Sequence, residues 1–400
     1  MRLIALLFCL ISLQGYSQSR HTLSYDQYLN YSLGGYLNTP LSNIRLAGAK
    51  WQSGDTAAAI RYINAAVKVG LFDSFLIRNS GSLSGFTSLP AWKGIRKNIE
   101  NNIAAISTPS HLKIYSDDVH RFLKLYPQLM AKHGDNTLWR DYIVNGTTGL
   151  KTFFNVRMSS RPDAVLATIK KYRHFYEGLA PLAAQLPSFE KQIAIAAQKL
   201  EDIYPESIFP PIYFLVGNMN AAGTPDGGAG QLIGIEFFSN YPGRDTTGLS
   251  TWFRSVLSDT SRLVGVTVHE MVHVQQKNTP SQSVLAKCIT EGAADFITYL
   301  LLNQIIQPRQ HAYGNAHEKE IYERLMREKN TTDLSYWMYN QEIEEKGIPS
   351  DLGYYIGYKI CEAYYNKQAD KKKAVKDILE VRDYELFLKE SEYGKKFEQQ

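Results

Sequence analysis

Cysteine is scarce in this sequence, with three residues among 400. A small disulfide-stapled scaffold is therefore excluded, because such folds depend on many closely spaced cysteines. Cys288 and Cys361 fall in separate predicted helices, and we predict that both are buried, free thiols. Long hydrophobic runs are also missing after the N-terminus, since no later segment reaches the roughly 18 apolar residues that a membrane span requires. We therefore expect a soluble mature chain.

A strong charge of either sign is absent as well. The 44 Lys and Arg residues and 39 Asp and Glu residues give a formal net charge of +5. This weak bias lacks the basic patch that nucleic-acid binding requires, so we predict no nucleic-acid partner. The glycine-rich segment 221–230 lacks the Lys-Ser/Thr ending of a phosphate-binding loop, which disfavours nucleotide binding. We expect this segment to be a flexible loop.

The N-terminus has the pattern of a cleavable signal peptide. A basic residue precedes an apolar run over 3–13, and small residues surround a cleavage site after Ser17. We predict residues 1–17 as the signal peptide and an extracytoplasmic location, periplasmic or secreted. Cys9 follows a bulky residue instead of a small one, so we expect no lipid anchor in the membrane.

Residues 22–105 are predicted to form a small helical unit. One helix is expected over about 41–52 and a second over 56–69, with a Ser-Gly-Asp turn between them, and a third is expected to start near Pro90. The first two helices resemble one tetratricopeptide-like pair. Such a unit either binds a protein partner or braces the following domain, and the sequence leaves both interpretations open.

A second domain, 111–400, is predicted after a linker rich in serine and proline. Its first part consists of helical patterns followed by two β-type runs. The helices are expected over about 115–131, 136–157, 161–180 and 187–204, and the strands over 212–216 and 232–238. The predicted fold class is α+β, mostly helical, with a small mixed or antiparallel sheet.

Two histidines and a glutamate have the spacing of a metal-binding helix. His269 and His273 are four residues apart, so both imidazoles lie on one helical face and can reach one ion. Glu270 lies between them, where it can accept a proton from a water at that ion. This is the H-E-x-x-H pattern of zinc hydrolases. The surrounding apolar residues predict a buried helix that begins after 259–261 and returns to solvent at 275–278.

A third ligand is predicted on the next helix, which is expected over roughly 281–304. Catalytic zinc takes three protein ligands and keeps one position for water, and Glu291 has the right distance from the motif. Asp295 follows four residues later on the same face, where it can accept the other ring N–H of a ligating histidine. Cys288, one turn before Glu291, is an alternative ligand in this segment.

The segment 353–358 combines two glycines and two tyrosines at helical spacing. Gly353 and Gly357 predict a close helix contact. Hydroxyl or imidazole groups beside a zinc ion stabilise the oxyanion of a tetrahedral intermediate, so Tyr354, Tyr358 and His317 are candidates for that role. Packing explains the tyrosines equally well, and a solvated helix face explains His317.

Together these segments resemble a bacterial family of predicted zinc-dependent proteases, related to the gliding-motility lipoprotein B group. The resemblance covers about 115–395, outside the N-terminal helical unit. It rests on segments 204–211, 230–234, 269–273, 291–296 and 353–359. It implies a gluzincin, thermolysin-like metallopeptidase fold, with His269, His273 and Glu291 as zinc ligands and Glu270 as general base. The chain departs from the lipoprotein members because it lacks a usable lipobox cysteine.

The resulting hypothesis is a zinc metallopeptidase that hydrolyses a peptide or protein substrate. Strand 232–238 is expected either to pair with that extended substrate or to be an ordinary core strand. The alternative hypothesis is a non-catalytic secreted binding or assembly factor whose zinc is structural or vestigial. A zinc hydrolase acting on a non-peptide amide also fits the sequence.

Overall fold

The computed structural model describes residues 37–131, 136–158 and 161–398. The predicted signal peptide, 1–17, lies outside the described residues. The described chain is mostly helical and has one small mixed sheet, so the predicted α+β class is confirmed. None of the described helices combines the length and the apolar character needed to cross a membrane.

The described residues form two compact units. The first, here called the sheet unit, comprises described residues of 37–194 and 208–267; the second, the helical unit, comprises 195–207 and 268–398. The predicted boundary between 105 and 111 does not coincide with a division between these units. The N-terminal helices belong to the same compact unit as the sheet.

Helices account for most of the sheet unit, and two of them continue into the helical unit. They are α1 (Pro40–Gln52), α2 (Thr56–Lys68), α3 (Phe75–Arg78), α4 (Ala91–Ala104), α5 (Asp117–Met130), α6 (Asn136–Val144), α7 (Thr148–Arg157), α8 (Pro162–Lys171), α9 (Arg173–Glu177), α10 (Ala180–Ala183), α11 (Leu186–Ile203), α12 (Thr251–Val256) and α13 (Arg262–Gln275). Short 3-10 helices cover Gly81–Leu83, Phe86–Ser88, Pro109–His111 and Ile235–Phe238.

The sheet has four strands, β1 (Ile114–Tyr115), β2 (Ile212–Leu215), β3 (Gly223–Asp226) and β4 (Gly230–Gly234), in the order β1-β2-β4-β3. β4 pairs parallel with β2 and antiparallel with β3. Both of its edges are therefore occupied. The expectation that 232–238 pairs with an extended substrate is wrong, because no backbone edge of β4 is available and 235–238 is a 3-10 helix.

The segment 221–230 is ordered, which corrects the expectation of a flexible loop. β3 forms within it, and Asp226 caps the turn that follows, with Oδ1 accepting hydrogen bonds from the amides of Gly228 (2.9 Å) and Ala229 (2.6 Å). An aspartate side chain that bonds to amides two and three residues later fixes a tight turn. This local bond was not recognised in the glycine-rich pattern.

The N-terminal helices fold as predicted and share a core. α1 and α2 match the expected pair, and Asp55 caps α2 by accepting from the amide of Ala58 (2.9 Å). Their buried side chains pack with those of α4 and the intervening turns. The amide of Asp73 donates to the carbonyl of Gly227 (3.1 Å). This contact links the N-terminal helices to the turn after β3 within the sheet unit.

The helical unit contains α14 (Val284–Leu302), α15 (Pro308–Ala316), α16 (Glu318–Glu328), a 3-10 helix (Gln341–Lys346), α17 (Leu352–Lys367), α18 (Lys371–Leu379), α19 (Tyr384–Ser391) and α20 (Lys395–Glu398). Ser283 begins α14 by accepting from the amide of Ala286, and left-handed Asn303 ends it. α14 and α17 cross closely at Gly292 and Gly357, as the glycine spacing predicts. Cys288 and Cys361 are buried and free, as predicted.

Candidate metal centre

The last two turns of α13 present both histidines of the motif on one buried face. His269 and His273 are each 7% exposed, and their Nε2 atoms lie 2.9 Å apart. Val268 and Val272, each one position before a histidine, are fully buried on the adjoining face of the helix. The i, i+4 spacing and the burial of the rest of the helix therefore direct both imidazoles to one point.

Glu291 of α14 completes the cluster. Its Oε2 lies 3.4 Å from Nε2 of His269 and 3.3 Å from Nε2 of His273. Among the described residues, these three are the only group of His, Cys, Asp or Glu side chains arranged to hold a metal ion. The other oxygen of Glu291, Oε1, is buried without a hydrogen-bond partner. An unpartnered oxygen on a carboxylate that is 1% exposed is costly unless a cation stabilises it.

The distances within the cluster fit a tetrahedral ion. A zinc ion about 2.0–2.1 Å from each ligand atom holds those atoms about 3.3 Å from one another. The observed separations are 2.9, 3.3 and 3.4 Å. Two imidazole nitrogens and one carboxylate oxygen are also the donor set of catalytic zinc sites. The three residues therefore fit zinc in both geometry and chemistry.

Each histidine is held through its outer nitrogen by an oxygen acceptor. Nδ1 of His269 lies 2.7 Å from Oδ1 of Asp295, as the sequence predicts for that aspartate. Nδ1 of His273 lies 2.9 Å from Oε1 of Gln276. Because both acceptors can take the Nδ1 proton, the Nε2 atoms are the ring nitrogens left to face the centre of the cluster, where each can offer a lone pair to a metal ion.

The tautomer of His273 follows from a chain of hydrogen bonds. Gln276 Nε2 donates to the carbonyl oxygen of Thr290 (2.7 Å), which can only accept. This fixes the orientation of the amide, so that its oxygen faces His273. Since Thr290 precedes Glu291, one side chain ties a histidine ligand on α13 to the carboxylate ligand on α14.

The buried position of Gln276 corrects a prediction. Residues 275–278 were expected to return the helix to solvent, yet Gln275, Gln276 and Asn278 are between 2% and 6% exposed. Their polar groups are compatible with burial because other polar groups meet them, as when Asn278 accepts from the amide of Val381 (2.8 Å). The polar residues of 275–278 therefore do not indicate that this end of α13 is exposed to solvent.

The electrostatics of the cluster favour a positive charge at its centre. Burial lowers the pKa of His269, but the hydrogen bonds to Asp295 and Glu291 outweigh this effect and raise it to about 10. Burial raises the pKa of Glu291, but the neighbouring His273 and His269 hold it well below its usual range. Three inward-facing acceptors need a cation between them, either protons or a metal ion.

Glu270 lies between the two histidines in α13 and is less buried than either of them. Its charge contributes to raising the pKa of His273, so the carboxylate is within electrostatic reach of the cluster. It is not part of the ligand group. Glu270 therefore follows a ligand directly in the chain and keeps access to solvent.

Tyr354 is the oxyanion candidate that the structure brings to the cluster. Its ring faces that of His269, with centroids 6.1 Å apart and an angle of 23° between the planes. The start of α17 is fixed three residues earlier by Asp351, a left-handed residue (φ 63°) whose Oδ1 accepts from the amide of Tyr339 (2.7 Å). Tyr339 is itself left-handed (φ 58°), so two unusual backbone conformations define where Tyr354 lies.

The other two oxyanion candidates have different contacts. Tyr358 is 3% exposed and packs edge-on against Phe296 and His311. His317 joins α15 to α16, is 40% exposed, pairs with Glu320 and stacks on Tyr313, none of which belongs to the cluster. The alternative ligand Cys288 is not part of the metal-binding group, and its Sγ faces Gly353 at the helix crossing.

Three further residues of the site were missed from the sequence. Gln276 orients His273, Gln307 donates to Oδ2 of Asp295 (3.3 Å), and Asp351 sets the start of α17. The contact of Gln276 with His273 could have been predicted from the sequence, because residues three apart on a helix lie on the same face. The roles of Gln307 and Asp351 depend on tertiary contacts that no local pattern encodes.

One family model, described as gliding motility protein GldB, matches residues 97–395. The match includes every residue of the metal cluster and excludes α1 and α2. No curated protein and no solved structure matches the chain.

Proposed function

This chain belongs to the family of the gliding motility protein GldB, and we propose that it is a zinc-dependent metallopeptidase of the gluzincin, thermolysin-like type. One observation carries the proposal: three buried acceptor atoms, from His269, His273 and Glu291, converge within 3.4 Å of one another. Such a cluster is unfavourable without a cation, and its donor set is that of catalytic zinc. Glu270 is the base that hydrolysis requires.

Each residue around the cluster has a distinct role in the proposed peptide hydrolysis. When bound, a zinc ion supplies Lewis-acid activation of a water and polarises the scissile carbonyl. Glu270 accepts a proton from the attacking water and donates it to the leaving amine. Tyr354 supplies a hydroxyl that can donate to the developing oxyanion. Asp295 and Gln276 keep the histidine tautomers correct throughout the cycle.

The alternative, a binding or assembly factor with a structural zinc, is less well supported. Structural zinc sites are closed by four protein ligands. The described residues supply three, and the nearest thiol, that of Cys288, packs at the α14–α17 crossing. A partly exposed Glu270 beside the ligands also has no use in a structural site.

We propose that the enzyme acts outside the cytoplasm on a peptide or protein substrate. The predicted signal peptide motivates this location, and the lipoprotein character of the matched family supports an envelope or secreted protein. A separate protein partner for α1 and α2 has less support, because Asp73 bonds to the sheet unit's own Gly227.

Metal analysis and peptide-library cleavage test the proposal together. The purified protein is expected to bind one equivalent of zinc and to cleave peptides in a chelator-sensitive manner. His269→Ala is the matched control that should lose both properties. A zinc-loaded wild-type protein that leaves every peptide intact would contradict the proposed reaction.

A further inference from the structure

Lys287 is the exception in an otherwise buried stretch of helix. From Val284 to Thr298, every residue of α14 is buried except this lysine, which is half-buried. Helical periodicity alone does not explain why Lys287 is less buried, because protein surrounds the helix at all the remaining positions of these four turns. Lys287, in the first turn of α14, is therefore the position at which solvent reaches this stretch of the helix.

The lysine lies on the side of the helix that carries a metal ligand. Lys287 and Glu291 are four residues apart, so they occupy the same helical face one turn from each other. The Glu291 carboxylate acts on the lysine charge. Burial lowers the pKa of Lys287, which reflects partial loss of its hydration.

No carboxylate of the described residues forms an ion pair with Lys287. Other half-buried lysines of the helical unit have such partners: Lys277 pairs with Glu380 (2.9 Å), and Lys359 pairs with Glu362. Within the described parts of the chain, Glu291 is the one acidic group that acts on Lys287, and its Oε2 is directed at the two histidines. A partly dehydrated cation without an ion-pair partner is energetically unfavourable.

Metal binding strengthens this imbalance. A divalent cation at the cluster neutralises Glu291, which weakens the attraction that this carboxylate exerts on Lys287. The ion and its three ligands carry a net charge of +1, which Asp295 and Glu270 beside them offset, so no acidic group of the cluster is left to pair with Lys287. A half-buried lysine without an ion-pair partner favours a bound anion on the face of α14 that carries Lys287 and Glu291.

We propose that Lys287 binds a carboxylate of the substrate, and so selects peptides with an acidic group near the scissile bond. This inference rests on the proposed function. Two sources supply the same chemistry, the free C-terminal carboxylate of a peptide and an aspartate or glutamate side chain. The first makes the enzyme a carboxypeptidase-type exopeptidase, and the second gives an endopeptidase with acidic specificity.

Three matched peptides test the proposal. One has a free C-terminus, the second is its C-terminal amide, and the third is an amide with one aspartate moved through successive positions. A charge-assisted hydrogen bond predicts that the wild type prefers one of the two acidic peptides over the plain amide by about 10- to 100-fold in kcat/KM. Lys287→Met should reduce this ratio towards 1, Lys287→Arg should keep most of it, and Lys319→Met, at an exposed site, should not change it.

Binding to the zinc-loaded Glu270→Gln variant separates this inference from the proposed function. The same peptides are titrated by calorimetry into that variant with and without Lys287→Met, so no turnover is needed. Preferential binding of a carboxylate peptide that disappears with Lys287→Met supports the inference, even if the wild type cleaves nothing. Equal binding of all three peptides, or a preference that survives Lys287→Met, would overturn it.

Discussion

Gly292 of α14 and Gly357 of α17 touch backbone to backbone. A Cβ atom added to Gly292 would lie 2.0 Å from the carbonyl carbon of Gly357, and one added to Gly357 would lie 1.7 Å from the carbonyl oxygen of Cys288. This crossing fixes the helix that carries Glu291 against the helix that carries Tyr354. The position of Tyr354 relative to Glu291 therefore depends on the absence of a side chain at both glycines.

We predict that Gly357→Ala destabilises the protein by about 1–3 kcal/mol or more, because the added methyl meets backbone that cannot rotate away. The control is Gly94→Ala in α4, where a Cβ has open space. This change should stabilise the protein by about 0.5–1 kcal/mol through helix propensity. Denaturant unfolding monitored by circular dichroism measures both effects, and equal stabilities for the two variants would contradict the packing argument.

Gln276 should govern metal affinity. Gln276→Leu removes the acceptor that fixes the His273 tautomer, and we expect zinc binding to weaken about 10- to 100-fold. Gln276→Glu keeps an acceptor on Nδ1 and should retain most of the affinity. Chelator competition measures both values. Gln192→Leu on the exposed face of α11 serves as control, and an unchanged zinc affinity in Gln276→Leu would remove the assigned role.

The two tyrosines of α17 should behave differently on substitution. Tyr354→Phe is expected to lower kcat by about 100-fold with little change in stability, since its hydroxyl is assigned to the oxyanion. Tyr358→Phe should have a much smaller effect on kcat, because that ring packs against Phe296 and His311. Steady-state kinetics on one peptide compare them directly. A larger loss for Tyr358→Phe would reverse the assignment.

Glu236 in the sheet unit should make stability depend on pH. It is fully buried, and burial raises its pKa from 4.5 to about 7, although the amides of Gly217 and Met219 donate to it. The folded protein therefore holds this proton more tightly than the unfolded chain. The resulting stabilisation is complete below pH 4.5 and is lost as the pH rises through about 7.

Glu236→Gln removes this titration and is the appropriate comparison for that pH effect. Between pH 4.5 and 7, the wild type should lose stability relative to the variant. Above pH 7, the difference in unfolding free energy between the two proteins should be constant. Other carboxylates titrate in both proteins and cancel in the difference. A difference that is flat across the whole interval would show that Glu236 does not titrate as assigned.

Local patterns predicted much of the molecule. The i, i+4 histidines, Glu291 and Asp295 were identified because helical spacing alone determines which side chains share a face. The helix expected over 136–157 is instead two helices, because Thr147 accepts from the amide of Leu150 and caps a new start at Thr148. The cap forms at the Gly146-Thr147 pair and starts a new helix there. The spacing of apolar residues continues across this point, so it does not indicate the break.

The remaining features of the site depend on contacts between distant segments. Gln276 is buried because Thr290 lies opposite it, and Asp351 adopts a left-handed conformation because Tyr339 and Asn340 bond to it. The position of β4 inside the sheet depends on β3, a strand formed by glycine-rich sequence with weak strand propensity. In each case tertiary structure outweighs the local preference.

The most direct test of the account is a comparison of wild type and Glu270→Gln for zinc content and peptide hydrolysis. The variant should bind zinc with the wild-type stoichiometry, because Glu270 is not one of the ligands. Its kcat should fall by about 100- to 10,000-fold, because glutamine cannot accept the proton of the attacking water. Full hydrolytic activity in zinc-loaded Glu270→Gln would contradict the proposed mechanism.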